Sequence, residues 1–470
     1  MLNVSKESVT SKYFTVIVVL MTILFSVFPL TDTDIWWHLA CAREWVPTWT
    51  PVRSPIVNVH EYFQQAVYAV YQCGGAPLLV AFKAILWGSV MALFIWRIRK
   101  SSFAVCLALF LLFIFRYQFE IRPVVFTLFF LGVYWNVLPT LFKTNGPFTT
   151  KKGLMIFALL LLQWFWCKCQ GLYILGPLFA IACFIETNGV SFKFQRNVVY
   201  KVIFVVAMFL MPFLHGEGLS LFFYPFGLAD RLLGLSSSAS VFASEIAENR
   251  SPLTLILQGE NVFACVLMVL VSLMAVVMGL INWRRHNELW MLVLAVLALV
   301  AERNFVLLLP VFLTAFMPWV AEKIELNSIL RSAEIILCAA LVGFWGKSLV
   351  AYDSSMVASQ RVPVYAAEWM KANPHEGRLF NDDRTGGYLA FANPLDSTFV
   401  DGRFILKTAE FFERYLRYAD VPETFLHDAD SMNVDRALFP IRYYARWNRL
   451  LNALNSAENW PLMYQDSDSV

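Results

Sequence analysis

Charge is what this chain of 470 residues has least of: Asp, Glu, Lys and Arg together make up 15% of it, against 59% apolar residues. A soluble globular domain carries roughly a quarter charged residues, so a soluble-enzyme reading is excluded and a bilayer is the expected solvent. Also missing are a glycine-rich phosphate loop and a serine-hydrolase elbow, which weighs against nucleotide and serine-hydrolase chemistry. No repeat of fixed period stands out, which weakens a transporter built from duplicated halves, and nothing supports nucleic-acid binding. Of the eight cysteines, Cys106, Cys183, Cys265 and Cys338 fall in apolar blocks as small hydrophobes, and no disulfide framework is implied. Cys167 and Cys169 form a C-x-C without a nearby Cys or His, so zinc is not expected there. No small-residue cleavage site follows the first apolar block, 13–30, which is therefore read as a span and not as a signal peptide.

What is present is a series of apolar blocks near bilayer-spanning length, about twenty residues each. They fall at 13–30, 76–97, 102–115, 121–142, 153–167, 172–186, 198–214, 261–282, 288–301, 304–321 and 334–350. Lys6, Lys12, Arg97, Arg99, Lys100, Lys151, Lys152, Lys193, Arg196, Arg284, Arg285, Lys323 and Arg331 all map to one side of this arrangement, which the positive-inside rule makes cytoplasmic. About eleven crossings beginning inside leave the C-terminal portion outside. From residue 362 on, Gly, Pro, Asn, Asp and Arg become frequent and apolar runs shorten. The expected fold class is an all-α polytopic membrane bundle, 1–351, with a small C-terminal α/β soluble domain, 352–470. In that domain 364–372 and 409–419 read as helices, 378–380 and 397–400 as strands. Gly386-Gly387 reads as a tight turn and Asp401-Gly402-Arg403 as a turn after a strand.

On this topology the unusual polar residues gather outside, and ionisable groups beside spans tend to serve a site or a pairing partner. The first external loop, 31–75, carries Asp32 and Asp34 directly after a span, followed by Trp36, Trp37 and His38. Two carboxylates two residues apart can share a divalent cation, or one can act as base while the other orients it. His38, four residues after Asp34, would share a helix face with it. A Trp pair at a membrane boundary ordinarily serves as an interfacial anchor. Arg116, Arg122, Lys168 and Arg303 suit a phosphate or pyrophosphate, Arg through its bidentate fork and Lys as a point charge. Glu245 and Glu302 are further acidic candidates. An acid–base group beside phosphate-binding cations points to group transfer from a lipid-linked phosphate.

The run Asp32-Thr33-Asp34-Ile35-Trp36-Trp37-His38 resembles the D-x-D-x-W-W-H signature of bacterial polytopic proteins similar to the GT-C glycosyltransferase superfamily. Gly74-Gly75, Arg122-Pro123, Glu302-Arg303-Asn304, Gly386-Gly387-Tyr388-Leu389 and Asp401-Gly402-Arg403 fit the same pattern, which departs at 166–173, where Lys168, Cys169, Gln170 and Gly171 replace an Asn-x-His-Gly-type turn. The resemblance implies a GT-C-like bundle in the bacterial plasma (inner) membrane, with an extracytoplasmic C-terminal domain. Its implied activity is inverting transfer of a sugar from a polyprenyl-phosphate donor to an envelope glycan, lipid or protein. It makes Asp34 the general base, Asp32 its orienting partner or a metal ligand, and His38 a supporting residue. Arg122 and Arg303 would hold the lipid phosphate, and a divalent metal ion at Asp32 and Asp34 is the one cofactor suggested. A transporter or flippase of lipid-linked glycans, or a non-catalytic scaffold of envelope polysaccharide assembly, is the alternative.

Overall fold

The computed structural model describes the chain apart from residues 1, 46, 47, 55, 99, 144–148, 189–195, 235, 237–239, 282–285, 324–327, 443 and 444. Arg99, Lys193, Arg284 and Arg285, four of the cations used to orient the chain, lie outside the described residues. The chain divides into two compact units. The first, the membrane unit, comprises Met1–Phe28, Val80–Leu235 and Phe242–Tyr352; the second comprises Pro29–Leu79, Ser236–Val241 and Asp353–Val470. The sequence assigns 31–75 to the membrane domain, but in the structure this loop packs with the C-terminal residues.

Each segment read as a span is helical over most of its length, from Leu2–Phe25 at the start to Ser328–Ala351 at the end. Glu61–Ile95, Pro123–Lys143, Gly171–Asn188, Val262–Ile281 and Glu302–Lys323 are long and apolar enough to cross a membrane unaided. A sixth crossing is reached if Val198–Leu214 and Gly218–Asp230, bent 108° apart, count as one. The chain is thus a multi-pass membrane protein. Helices in lipid gain little from hiding apolar surface and associate instead through close packing, which small residues permit. In the membrane unit a Cβ on Gly132 would come within 2.9 Å of Leu93, and one on Gly279 within 2.9 Å of Leu292. The helix Gly218–Leu233 was not anticipated: its many apolar residues share the sequence with Gly227, Pro225 and Asp230, which shorten the apolar run below spanning length.

The second unit has a two-stranded parallel sheet, β1 (Arg378–Asn381) and β2 (Val434–Leu438). Alternation along β1 gives it two cores. Leu379 packs with Ala366, Ala367, Met370, Leu389 and Leu438, while Phe380 is ringed by Phe399, Phe425, Phe439 and Trp447 at centroid distances of 4.7 to 5.6 Å. Helices form at Val364–Ala372 and Ala409–Asp420, as the apolar spacing predicts. Two expectations are corrected. Residues 397–400 join no strand: the Asn381 side chain accepts from Phe399 N and donates to Val400 O, both at 2.7 Å, while Thr398 O accepts from Trp49 N at 3.0 Å. Side chains and a neighbouring loop thereby satisfy the backbone in place of a ladder. The second correction concerns Gly386 and Gly387, which lie inside the helix Asp383–Ala392 and not in a turn.

That helix begins on Asp382, whose carboxylate accepts from Arg384 N at 2.9 Å, the usual manner of an N-cap. Its glycines serve close approach. A Cβ on Gly386 would overlap Val400 O, and one on Gly387 would lie 3.0 Å from Thr33 O and 3.2 Å from Trp37 N. We expect Gly386→Ala to cost about 1–3 kcal/mol through overpacking, read as a lowered unfolding temperature of the nanodisc-embedded protein. Gly343→Ala, at a position with open space around it, should leave that temperature unchanged or raise it.

Candidate active site

Four of the segments singled out in the sequence meet in the second unit. The helix Asp34–Arg43 follows the first span and lies against Asp383–Ala392 through Gly387. Its partners are set residue by residue. Trp36, 1% exposed, contacts the rings of Tyr388, Phe391 and Tyr71. Arg43 donates to Phe391 O at 2.7 Å, placing a cation at the C-terminal end of the glycine helix, where the helix dipole favours it. Both tryptophan rings are buried within the folded chain, Trp36 against C-terminal rings and Trp37 beside His38 and His60. Gly74 and Gly75 break the helix Glu61–Ile95, Gly75 with φ of 64°, a conformation that glycine adopts without strain.

The two carboxylates differ. Asp32 is buried, and its Oδ1 accepts from Asp34 N at 3.3 Å, so it serves the start of the helix. Asp34 is half-buried and its Oδ1 rests on Gly402, where any Cβ would collide with it. His38 is 2% exposed: its ring lies tilted against Trp37 at 3.5 Å and meets His60 and Phe63 at 5.2 and 4.9 Å. It is thus enclosed by aromatic neighbours and supports the helix from behind.

Gly402 is flanked by a buried ion pair. Arg403 grips Asp401 in a bidentate fork, Nε to Oδ1 at 3.0 Å and Nη2 to Oδ2 at 2.5 Å, donates to Cys41 Sγ at 3.3 Å and lies 4.8 Å from the centre of the Trp45 ring. Burial disfavours the guanidinium charge, but the Asp401 carboxylate more than offsets it and holds Arg403 protonated. Lys407 is also buried, its ammonium donating to Thr48 Oγ1 at 2.7 Å, Thr50 Oγ1 at 2.6 Å, and Thr50 O and Pro51 O at 3.1 Å each. All four acceptors are uncharged, and burial pushes the Lys407 pKa down to about 8. Asp382 is buried as well, where burial and its neighbour Asp383 raise its pKa to about 6.

In the membrane unit a second cluster forms around the loop 245–261. Arg122 pairs with Glu248 at 2.7 Å, Arg303 donates to Asn249 Oδ1 at 3.1 Å, and Glu302 N donates to Arg250 O at 3.0 Å. The Glu302 carboxylate accepts from Tyr117 at 3.2 Å. The structure therefore brings Arg122, Arg303 and Glu302 together, with Glu245 at the head of the same loop and 3.5 Å from Ser244 Oγ. Arg116 and Lys168 stand elsewhere in this unit. Arg116 donates to Phe113 O at 2.6 Å and lies over the rings of Phe113 and Trp345; Lys168 is buried against Glu217. Sequence reasoning missed Lys83. It is wholly buried within a span, donates to Phe28 O at 3.1 Å and lies 4.0 Å from Glu120. The signal was available, because a lysine inside an apolar run is costly and finds a partner.

Among the described residues no group of three or more His, Cys, Asp or Glu could hold a metal ion. Asp32 and Asp34 supply two carboxylates, one of them committed to the helix backbone, whereas a hard divalent cation takes about six oxygen ligands, some of them waters. The donor set does not fit a protein-built cage, and no step is derived through one.

No protein-family model matches the sequence, and no curated protein does. Solved structures do match. The chain is similar to the oligosaccharyltransferase AglB of Archaeoglobus fulgidus in complex with an inhibitory peptide and a dolichol-phosphate, with a TM-score of 0.54, 12% identity, and coverage of 94% of this chain and 72% of that one. For the apo form of the Archaeoglobus fulgidus oligosaccharyltransferase the TM-score is 0.56 at 12% identity, over 93% and 71% of the two chains. For its complex with Zn and sulfate the values are 0.52 and 12%, over 92% and 69%. At this identity the likeness establishes a shared fold.

The buried lysine gives a pH-dependent expectation. Its pKa is about 8 in the folded chain against 10.5 for a free lysine, so between those values the unfolded chain binds more protons and stability rises with pH. Below that window both states are charged and the burial penalty is undiminished. Unfolding temperatures compared between wild type and Lys407→Met should therefore shift in favour of wild type from about pH 7 to about pH 9.5.

Proposed function

We propose that this protein is an inverting membrane glycosyltransferase that moves a sugar from a polyprenyl-phosphate donor to an envelope glycan, lipid or protein on the outer face of a bacterial plasma membrane. The observation carrying the proposal is the division of labour between the two first-loop carboxylates: Asp32 serves the helix backbone, and Asp34 stands at the helix start on Gly402. The shared fold supports the reading, as do the dolichol-phosphate and the acceptor peptide named for the similar archaeal structures. About eleven crossings, an outside C-terminal domain and no nucleic-acid partner belong to the same proposal.

In this mechanism Asp34 accepts the proton of the acceptor hydroxyl. The hydroxyl oxygen attacks the anomeric carbon, the bond from that carbon to the phosphate oxygen breaks, and the electron pair leaves with the polyprenyl phosphate. One displacement inverts the anomeric centre. Asp32 orients Asp34 by fixing the first turn of its helix, and His38 backs that helix. Arg122 and Arg303 bind the donor phosphate, which must displace Glu248 from Arg122, a pair that is partly solvent-exposed and therefore weakly held. Arg116 and Lys168 are ancillary cations, and Glu245 and Glu302 shape the same loop cluster.

The test is transfer of radiolabelled sugar from a panel of polyprenyl-phosphate sugars by purified protein in nanodiscs. Asp34→Asn should lower turnover about 10²–10⁴-fold, the usual worth of a general base. Asp32→Asn keeps an oxygen that can accept from Asp34 N and should cost no more than about tenfold. Lipid-linked glycan that crosses the bilayer while no donor is consumed would overturn this reading in favour of a flippase.

A further inference from the structure

The helix Asp34–Arg43 places Trp37 three residues after Asp34, on the same face. Trp37 is 8% exposed, and its indole nitrogen has no hydrogen-bond partner among the described residues. A buried donor left unpaired gives up its hydration without return, and the ring itself lies 3.5 Å from the His38 ring, with the Arg403 guanidinium 5.8 Å from its centre. The nitrogen is held in one place without a bond to hold it. What stands nearest on that face is informative. A Cβ on Gly402 would lie 3.3 Å from Trp37 Nε1 and would overlap Asp34 Oδ1, so the indole N–H and the carboxylate flank the same point on the Gly402 backbone.

We propose that Trp37 is a positioning residue for Asp34: the carboxylate moves between a seat on Gly402 and a seat on the Trp37 N–H, and in the second seat its other oxygen faces the acceptor hydroxyl. This rests on the reading of Asp34 as the base. A single-bond rotation of a short side chain suffices, and the absence of a side chain at Gly402 makes the first seat possible. In the second seat the N–H is satisfied, one carboxylate oxygen is fixed, and the lone pairs of the other are aimed, which is what proton abstraction in a defined geometry requires. Trp37 touches no substrate in this scheme, since its nitrogen is covered.

Fluorine NMR of 5-fluorotryptophan-labelled protein in nanodiscs tests this without any substrate. The Trp37 resonance is assigned by its loss in Trp37→Phe. Its shift should follow pH in wild type and cease to do so in Asp34→Asn. The imidazoles of His38 and His60 stand 3.5 and 6.1 Å from the Trp37 ring, and a pH response unchanged in Asp34→Asn would be assigned to them and would overturn the proposal. Gly402→Ala removes the first seat, so the resonance should move toward its hydrogen-bonded limit, again only while Asp34 is present. In the transfer assay Trp37→Phe, which keeps a ring in place, should lower kcat about 10-fold to 100-fold with KM little changed. Full activity in Trp37→Phe together with a pH-insensitive resonance sinks the proposal while leaving Asp34→Asn to judge the base. If wild type transfers no sugar, the glycosyltransferase reading fails, and the fluorine titration still decides whether the carboxylate and the indole are paired.

Discussion

Two pieces of polypeptide come to backbone contact only where side chains are missing, and in the second unit that requirement falls on three glycines. Gly386 lets Val400 O come down onto one helix, Gly387 lets the start of the motif helix rest on it, and Gly402 receives the Asp34 carboxylate. None of these has a left-handed backbone; the need is for space, not for conformational freedom. Remove that space and the first loop loses its register on the C-terminal residues, and with it the place of the Asp34 carboxylate. The aromatic contacts of Trp36 and the Arg43 bond to Phe391 follow from this seating.

Two buried cations reinforce the arrangement by different physics. Arg403 is neutralised by a bidentate carboxylate, so its charge is compensated and its geometry fixed. Lys407 donates to neutral acceptors of Thr48, Thr50 and Pro51. It ties the middle of the first loop to the C-terminal chain at a cost in solvation that the hydrogen bonds only partly return. The loop is therefore held at two places: by glycine packing at its first helix and by a lysine midway along it.

How much of this was legible in the sequence depended on the length scale of the signal. Apolar blocks of spanning length announce helices, and the amphipathic stretch 409–419 announced one too, because periodicity is local. The strand β2 was hidden, since Asp435 and Arg436 break its apolar pattern at a position where partner and register decide the structure. Gly386 and Gly387 were visible as an unusual pair, yet a glycine pair reads the same whether it makes a turn or admits a neighbour, and the neighbour, Thr33, lies far away in sequence. Asp32 and Asp34 could be picked out, but not told apart until the hydrogen bond from Asp34 N to Asp32 was seen. Arg122 and Arg303 are grouped by the expected topology, whereas their partners Glu248 and Asn249 come from a loop whose folding no short-range pattern specifies.

The pairing of Lys83 with Glu120 bears on how the protein is made. Lys83 leaves the ribosome before Glu120 and must enter the bilayer region within an apolar helix whose counter-charge has not yet been synthesised. The Phe28 carbonyl and ring, which lie against the ammonium in the folded chain, are by contrast made before it. The order of synthesis thus places a lysine in an apolar helix ahead of the carboxylate that lies 4.0 Å from it in the folded chain.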